Sequence, residues 1–182
     1  EMRDRIAEPL KQMRAADPGF PSGDPWIGTF HGLSLRILRI EAARAGLGKD
    51  FSIFDESDAK SVLDDVTDEM KLEQFDADEF FRDLETAKAR MFSPEFLQKG
   101  LRAAQGMGPT AERWKRALQH FKSERFFDVY ARYQAALRDQ NAVDFNDLLN
   151  RTTRLFQEHP DVRLSWQSSF RHFMVDEVQD IN

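Results

Sequence analysis

Residues 173–182 read FMVDEVQDIN. Three apolar residues, Phe173 to Val175, lead into Asp176-Glu177, one spacer, and Gln179-Asp180. The pattern reads as a buried strand over residues 171–176 whose end turns acidic. In open α/β sheets, ligands bind beyond the carboxyl ends of strands. One carboxylate at such an end can hold Mg²⁺ during phosphoryl transfer, and a second can position or deprotonate a water. Adjacent strand side chains point to opposite faces, so both reach one site only where the strand is ending. A solvated strand end would carry the same pair, and Asp-Glu alone does not separate the two.

Working outward, the 182 residues suffice for one large domain or for one domain with a second inserted in it. Hydrophobic residues at 41% and charged residues at 32% give a globular composition on the charged side. No run of 18 apolar residues and no basic-then-apolar leader occurs, so no membrane partner and a cytoplasmic location are expected. With no cysteine, disulfides, thiolate metal sites and cysteine nucleophiles are excluded. The net charge of −6 taken alone argues against nucleic acid. Its distribution argues otherwise. Residues 50–85 hold 14 acidic and 3 basic side chains, whereas residues 88–125 hold 9 basic and 3 acidic ones, so a local basic surface is permitted on an acidic protein. Two solvated helical faces of opposite sign would give the same count.

Most of the chain has helical periodicity. Met2, Ile6, Leu10 and Met13 recur at helical spacing before a proline- and glycine-rich break. Thr29 is placed to cap a helix with Leu33, Ile37 and Ile40 on its apolar face and Gly46 at its end. Asp55 or Ser57, Asp76 with Glu79, Ser93-Pro94 and Asp144 are further start signals, and Pro160 closes the helix that follows Asp144. Trp114, Leu118, Phe121, Val129, Tyr133 and Leu137 predict one long helix over about residues 110–140, bent near Ser123. Strands are predicted near residues 26–29 and 171–176, both in one sheet expected to be supplied mostly by sequence outside these residues, with the helical block as an insertion. The expected fold is therefore mainly α, a helical block flanked by partial α/β segments that contribute two short strands. No histidine spacing resembles a metal site.

Four stretches, in order, resemble the superfamily 1A DNA helicases of the UvrD/Rep/PcrA type. FMVDEVQDIN resembles their Walker B motif (motif II), usually VDE-aromatic-QD-T-N. GTFHGLSLRILR at 28–39 resembles their motif Ib region, EMRDRI at 1–6 the end of their motif Ia helix, and VDFNDLL at 143–149 a stretch shortly before motif II. The helical middle, including DFSIFDESDAKSVL at 50–63, is similar to their inserted 1B subdomain. Val178 stands where an aromatic is usual and Ile181 where Thr is usual; the acidic pair and Gln179-Asp180 are intact.

The resemblance implies a RecA-like 1A motor segment at 1–46, a helical 1B-like subdomain at 47–168, and a returning 1A strand with motif II at 169–182. It implies an ATP-dependent 3′–5′ DNA translocase acting in repair or replication restart. Asp176 would hold Mg²⁺, Glu177 would activate water, Gln179 would sense the γ-phosphate of ATP, and Asp180 would brace the motif. Thr29, Phe30 and His31 would lie along single-stranded DNA. There a helix N-terminus donates N–H groups to a phosphate and a ring stacks on a base. A cap, a core phenylalanine and a capping histidine are the structural alternative. Arg36 and Arg39 can add phosphate contacts or form a solvated face. Arg113, Lys115 and Arg116 represent the basic stretch, placed by the resemblance near the single strand and the duplex junction. Asp144 and Asp147 read as helix caps. The sole Gly-Lys, Gly48-Lys49, is followed by Asp50, so no phosphate loop is present. The segment is thus expected to be part of a longer helicase chain and inactive as an ATPase alone. The alternative is a helical nucleic-acid-binding or protein-interaction module with degenerate helicase motifs.

Overall fold

Side-chain caps start most of the helices where the sequence places them. In the computed structural model, which describes residues 2–17, 23–73, 75–121, 125–170 and 173–176, Thr29 Oγ1 accepts from the Gly32 N–H at 3.2 Å and opens α2 (Phe30–Ile40). It follows α1 (Met2–Ala16). Asp55 and Asp58 form a reciprocal capping box at α3 (Glu56–Glu69). Asp76 accepts from the Glu79 N–H at α4 (Ala77–Ala89). Ser93, with Pro94 at the first helical position, starts α5 (Pro94–Ala104). Each such cap contributes about 1 kcal/mol.

The remaining helices are α6 (Pro109–Leu118), α7 (Phe126–Asp139), α8 (Phe145–Glu158) and α9 (Pro160–Ser169). Between them lies a two-stranded parallel sheet, β1 (Ser52–Phe54) with β2 (Ala142–Asp144), in the register Ile53 to Val143. Alternation across the strands divides the interior in two. Ala142 and Phe54 face a core made by Val62, Leu63, Phe80, Leu97, Phe126 and Tyr133 of α3, α4, α5 and α7. Val143 and Ile53 face a second core made by Leu38, Phe51, Leu148, Leu155 and Val162. Each fully buried side chain of this size contributes roughly 1.5–3 kcal/mol. The strand pair is the seam between the two cores. Gly48 keeps its approach close: its N–H donates to Asn141 Oδ1 at 2.9 Å, and a Cβ there would meet the Asn141 amide.

Three expectations are corrected. Residues 26–29 and 173–176 form no strand. Phe173 and Met174 are exposed, and no described strand lies beside them to satisfy their backbone groups. The pairing that does form joins segments about 90 residues apart. Residues 110–140 are not one helix: α6 ends at Leu118 and packs on α5, α7 begins at Phe126 in the first core, and Ser123, where a bend is expected, lies outside the described residues. Phe121 lies outside both helices, its ring stacked on Phe126 at 5.0 Å. The fully buried positions of α2 are Ser34 and Leu38, with Ala42 just beyond it; of the expected apolar face, Ile37 is half-buried against the second core, Leu33 is half-buried and Ile40 is exposed, and Thr152 Oγ1 donates to the Ser34 carbonyl at 3.5 Å.

Candidate nucleic-acid interface

The contacts of His31 with Phe145 and of Ser34 with Thr152 set α2 and α8 side by side with their N-termini at one end. The first turn of α2 carries no acidic side chain. By helix geometry the Phe30 and His31 N–H groups have no intrahelical acceptor, so this end favours an anion. Phe30, at the first helical position, is 52% exposed. The imidazole of His31 lies over the ring of Phe145, centroids 4.0 Å apart and planes 16° from parallel. Burial there lowers the His31 pKa from its ordinary value, which favours the neutral ring. Phe145, first residue of α8, is itself 56% exposed. Phe30, His31 and Phe145 therefore gather exposed aromatic surface around a helix N-terminus, a chemistry suited to an unpaired base and its phosphate.

Arg36 is exposed and holds its guanidinium 3.7 Å from the Trp26 ring. Trp26 packs edge-on against Trp166 and Phe170, and Trp166 Nε1 donates to Glu41. Arg39 lies over Phe51 and donates to the Lys49 carbonyl. Arg113, Lys115 and Arg116 are exposed on α6, on the other core cluster from α2. Lys115 pairs with Glu112 at 2.9 Å, and Arg116 Nε donates to the Glu112 carbonyl. Asp176 is exposed at a bend. Glu177, Gln179 and Asp180 lie outside the described residues, and so does His172. Among the described residues no group of three or more His, Asp or Glu side chains is placed to hold a metal.

The basic stretch loses one member. Lys88 is buried, not part of a surface field. Its ammonium is bonded to the Asp144 carboxylate and lies 2.7 Å from Asp147 Oδ1. Tyr133 donates to Asp144, and Gln134 donates to Asp147. Burial raises the Asp144 pKa, with Asp147 adding to the rise and Lys88 opposing it. Burial, with both carboxylates, pushes the Tyr133 hydroxyl far up, so it stays a neutral donor. Asp144 also caps α8, accepting from the Asp147 N–H at 2.9 Å. The cap was legible in VDFNDLL; its lysine, 56 residues away, left no local signal.

An aromatic surface beside a helix N-terminus, with cations on neighbouring turns, has the chemistry that a nucleic-acid strand takes. The comparisons carry this further. The chain matches the UvrD/REP helicase N-terminal domain over residues 1–182 and belongs to that family. It is 34% identical to the ATP-dependent DNA helicase PcrA of Leuconostoc citreum, over 100% of this chain and 21% of the relative. It is 33% identical to the Bacillus subtilis (strain 168) protein of that name, over 100% of the chain and 22% of the relative. A Staphylococcus aureus (strain Mu50) counterpart is 35% identical over 86% of the chain and 20% of its own length. The chain thus spans about a fifth of the length of these curated relatives.

Proposed function

We propose that the chain is part of an ATP-dependent DNA helicase that moves 3′ to 5′ along a single strand. In this reading residues 1–46 and 169–182 belong to the motor domain and residues 47–168 form a 1B-like subdomain. The observation that carries the proposal is the exposed aromatic surface of Phe30, His31 and Phe145 at the N-terminus of α2, in a chain of this family. The α2 N–H groups would take a phosphate and the rings would take bases without reading sequence. Arg113, Lys115 and Arg116 would meet phosphates of the strand or of the duplex ahead.

At the nucleotide end, ATP and Mg²⁺ are the expected cofactors. Asp176 would help hold the cation, Glu177 would accept a proton from the attacking water, and Gln179 and Asp180 would couple the nucleotide to the DNA surface. The adjacent order of these residues in the sequence and the relatives' designation as ATP-dependent support this assignment.

The test is a titration of fluorescent oligo-dT with the purified protein. Phe30→Ala is expected to weaken binding by about 1–3 kcal/mol, the usual worth of a base–aromatic stack. An unchanged affinity for every strand composition contradicts the proposal.

A further inference from the structure

On the far side of α8 from Phe145, a cleft of about 310 Å³ opens between α8 and the helices α5 and α7 of the first core. Four arginines line it. Arg44 comes from the turn after α2, Arg138 from the end of α7, and Arg151 and Arg154 from α8. Arg44 is paired with Asp161, and Arg154 Nε lies 3.5 Å from Glu158. The side chains of Arg138 and Arg151 make no hydrogen bond or ion pair among the described residues. Phe92, Pro94 and Leu155 supply an apolar floor, and Glu95 and Glu158 stand among the arginines. Burial works to raise the Glu95 pKa. The Ser93 hydroxyl, its own backbone N–H, Arg138 and Arg154 outweigh it and keep the carboxyl below its ordinary value, so Glu95 is ionised at neutral pH.

We infer that this cleft is a docking site for an acidic peptide segment bearing an apolar side chain, separate from the aromatic DNA surface. Three features select a peptide over a phosphodiester. A DNA backbone offers only acceptors, whereas a peptide also brings N–H donors that Glu95 and Glu158 can accept from. Among the described residues Arg138 and Arg151 have no side-chain hydrogen bond or ion pair, Arg138 acting on Glu95 only at longer range, and they present planar forks suited to Asp or Glu. The apolar floor gives an anchor side chain somewhere to be buried. Because the cleft lies between α8 and the helices of the first core, an occupant would touch both sides of the seam.

The probe is a fluorescein-labelled peptide with several aspartates and one phenylalanine, titrated into the purified protein by anisotropy. An otherwise identical peptide with asparagines, inorganic phosphate and oligo-dT are the comparison ligands. Saturable, salt-sensitive binding of the acidic peptide is expected, undisplaced by phosphate or oligo-dT. Arg138→Gln with Arg151→Gln should weaken it at least about tenfold while leaving oligo-dT binding and the melting temperature unchanged. Arg138→Glu with Arg151→Glu should abolish it. No saturation by about 1 mM peptide, equal binding of the asparagine peptide, or displacement by oligo-dT would overturn the inference, the last pointing to nucleic acid as the occupant.

Discussion

The rings of His31 and Phe145 lie face to face with their centroids 4.0 Å apart, although 114 residues separate them in the chain. The stack ties the first turn of α2 to the first turn of α8. It brings together one residue from the TFH stretch and one from VDFNDLL, two of the segments that resemble helicase motifs. Both remain accessible at the end of the helix pair where α2 offers free N–H groups.

Phe145→Ala should weaken single-stranded DNA by about 1–3 kcal/mol with little preference for base identity. An abasic strand of equal length should not feel the substitution, since it has no base to stack. Since Phe145 is more than half exposed, its loss should scarcely move the melting temperature. Equal losses for the abasic and normal strands would assign Phe145 to folding rather than to DNA.

Lys88→Met removes the cation between two buried carboxylates. Breaking a buried pair in this way costs about 3–5 kcal/mol. The folded pKa of Asp144 lies above its ordinary value, because burial and Asp147 outweigh Lys88. Its contribution to stability is therefore present below the ordinary carboxylate value and is lost as pH rises through the raised one. Without Lys88 the rise is larger, so urea melts of the variant should lose stability more steeply than the wild type between acidic and neutral pH. Parallel pH profiles would contradict the buried ion cluster.

Gly100→Ala sets two effects against each other. Alanine is favoured in a helix interior by about 0.8–1 kcal/mol. Yet a Cβ at Gly100 would overlap the Trp114 ring, and overpacking costs about 1–3 kcal/mol. The clash should win, and the melting temperature should fall. A rise would show that α6 slides away from α5 without loss.

Reversing charge at Arg113, Lys115 and Arg116 together should weaken oligonucleotide binding for all sequences alike and reduce its salt slope. Lys115 already pairs with Glu112, so it should contribute least of the three when changed singly. Unchanged affinity across several salt concentrations would leave the three as a solvated face.

What was legible in the sequence was local. Thr29, Asp55, Asp76, Ser93 and Asp144 cap helices because a cap needs only its own side chain and the N–H three residues on. Pairing was not legible: Ile53 finds Val143 across the helical block, and no pattern in either triplet names its partner. Phe121 fits the helical period of its neighbours, yet it lies outside both α6 and α7 with its ring stacked on Phe126. Lys88 looked like one more member of a basic run, because burial between distant Asp144 and Asp147 leaves no trace in composition. Phe145 carries no signal of its own in VDFNDLL beyond following the cap Asp144, and its part in the candidate interface appears only beside His31.

The most direct test of the account is steady-state ATP hydrolysis, with and without single-stranded DNA, by a protein that carries this segment together with a phosphate loop and second motor domain. Glu177→Gln keeps the shape of the side chain and removes the proton acceptor. General-base assistance is worth roughly 10²–10⁴-fold, so kcat should fall by at least about a hundredfold while nucleotide and DNA affinities change little. Phe30→Ala should do the reverse, weakening DNA binding and DNA-stimulated turnover with nucleotide binding intact. Near wild-type hydrolysis by Glu177→Gln would contradict the assignment of this chain to the motor of a DNA helicase with Glu177 as its base.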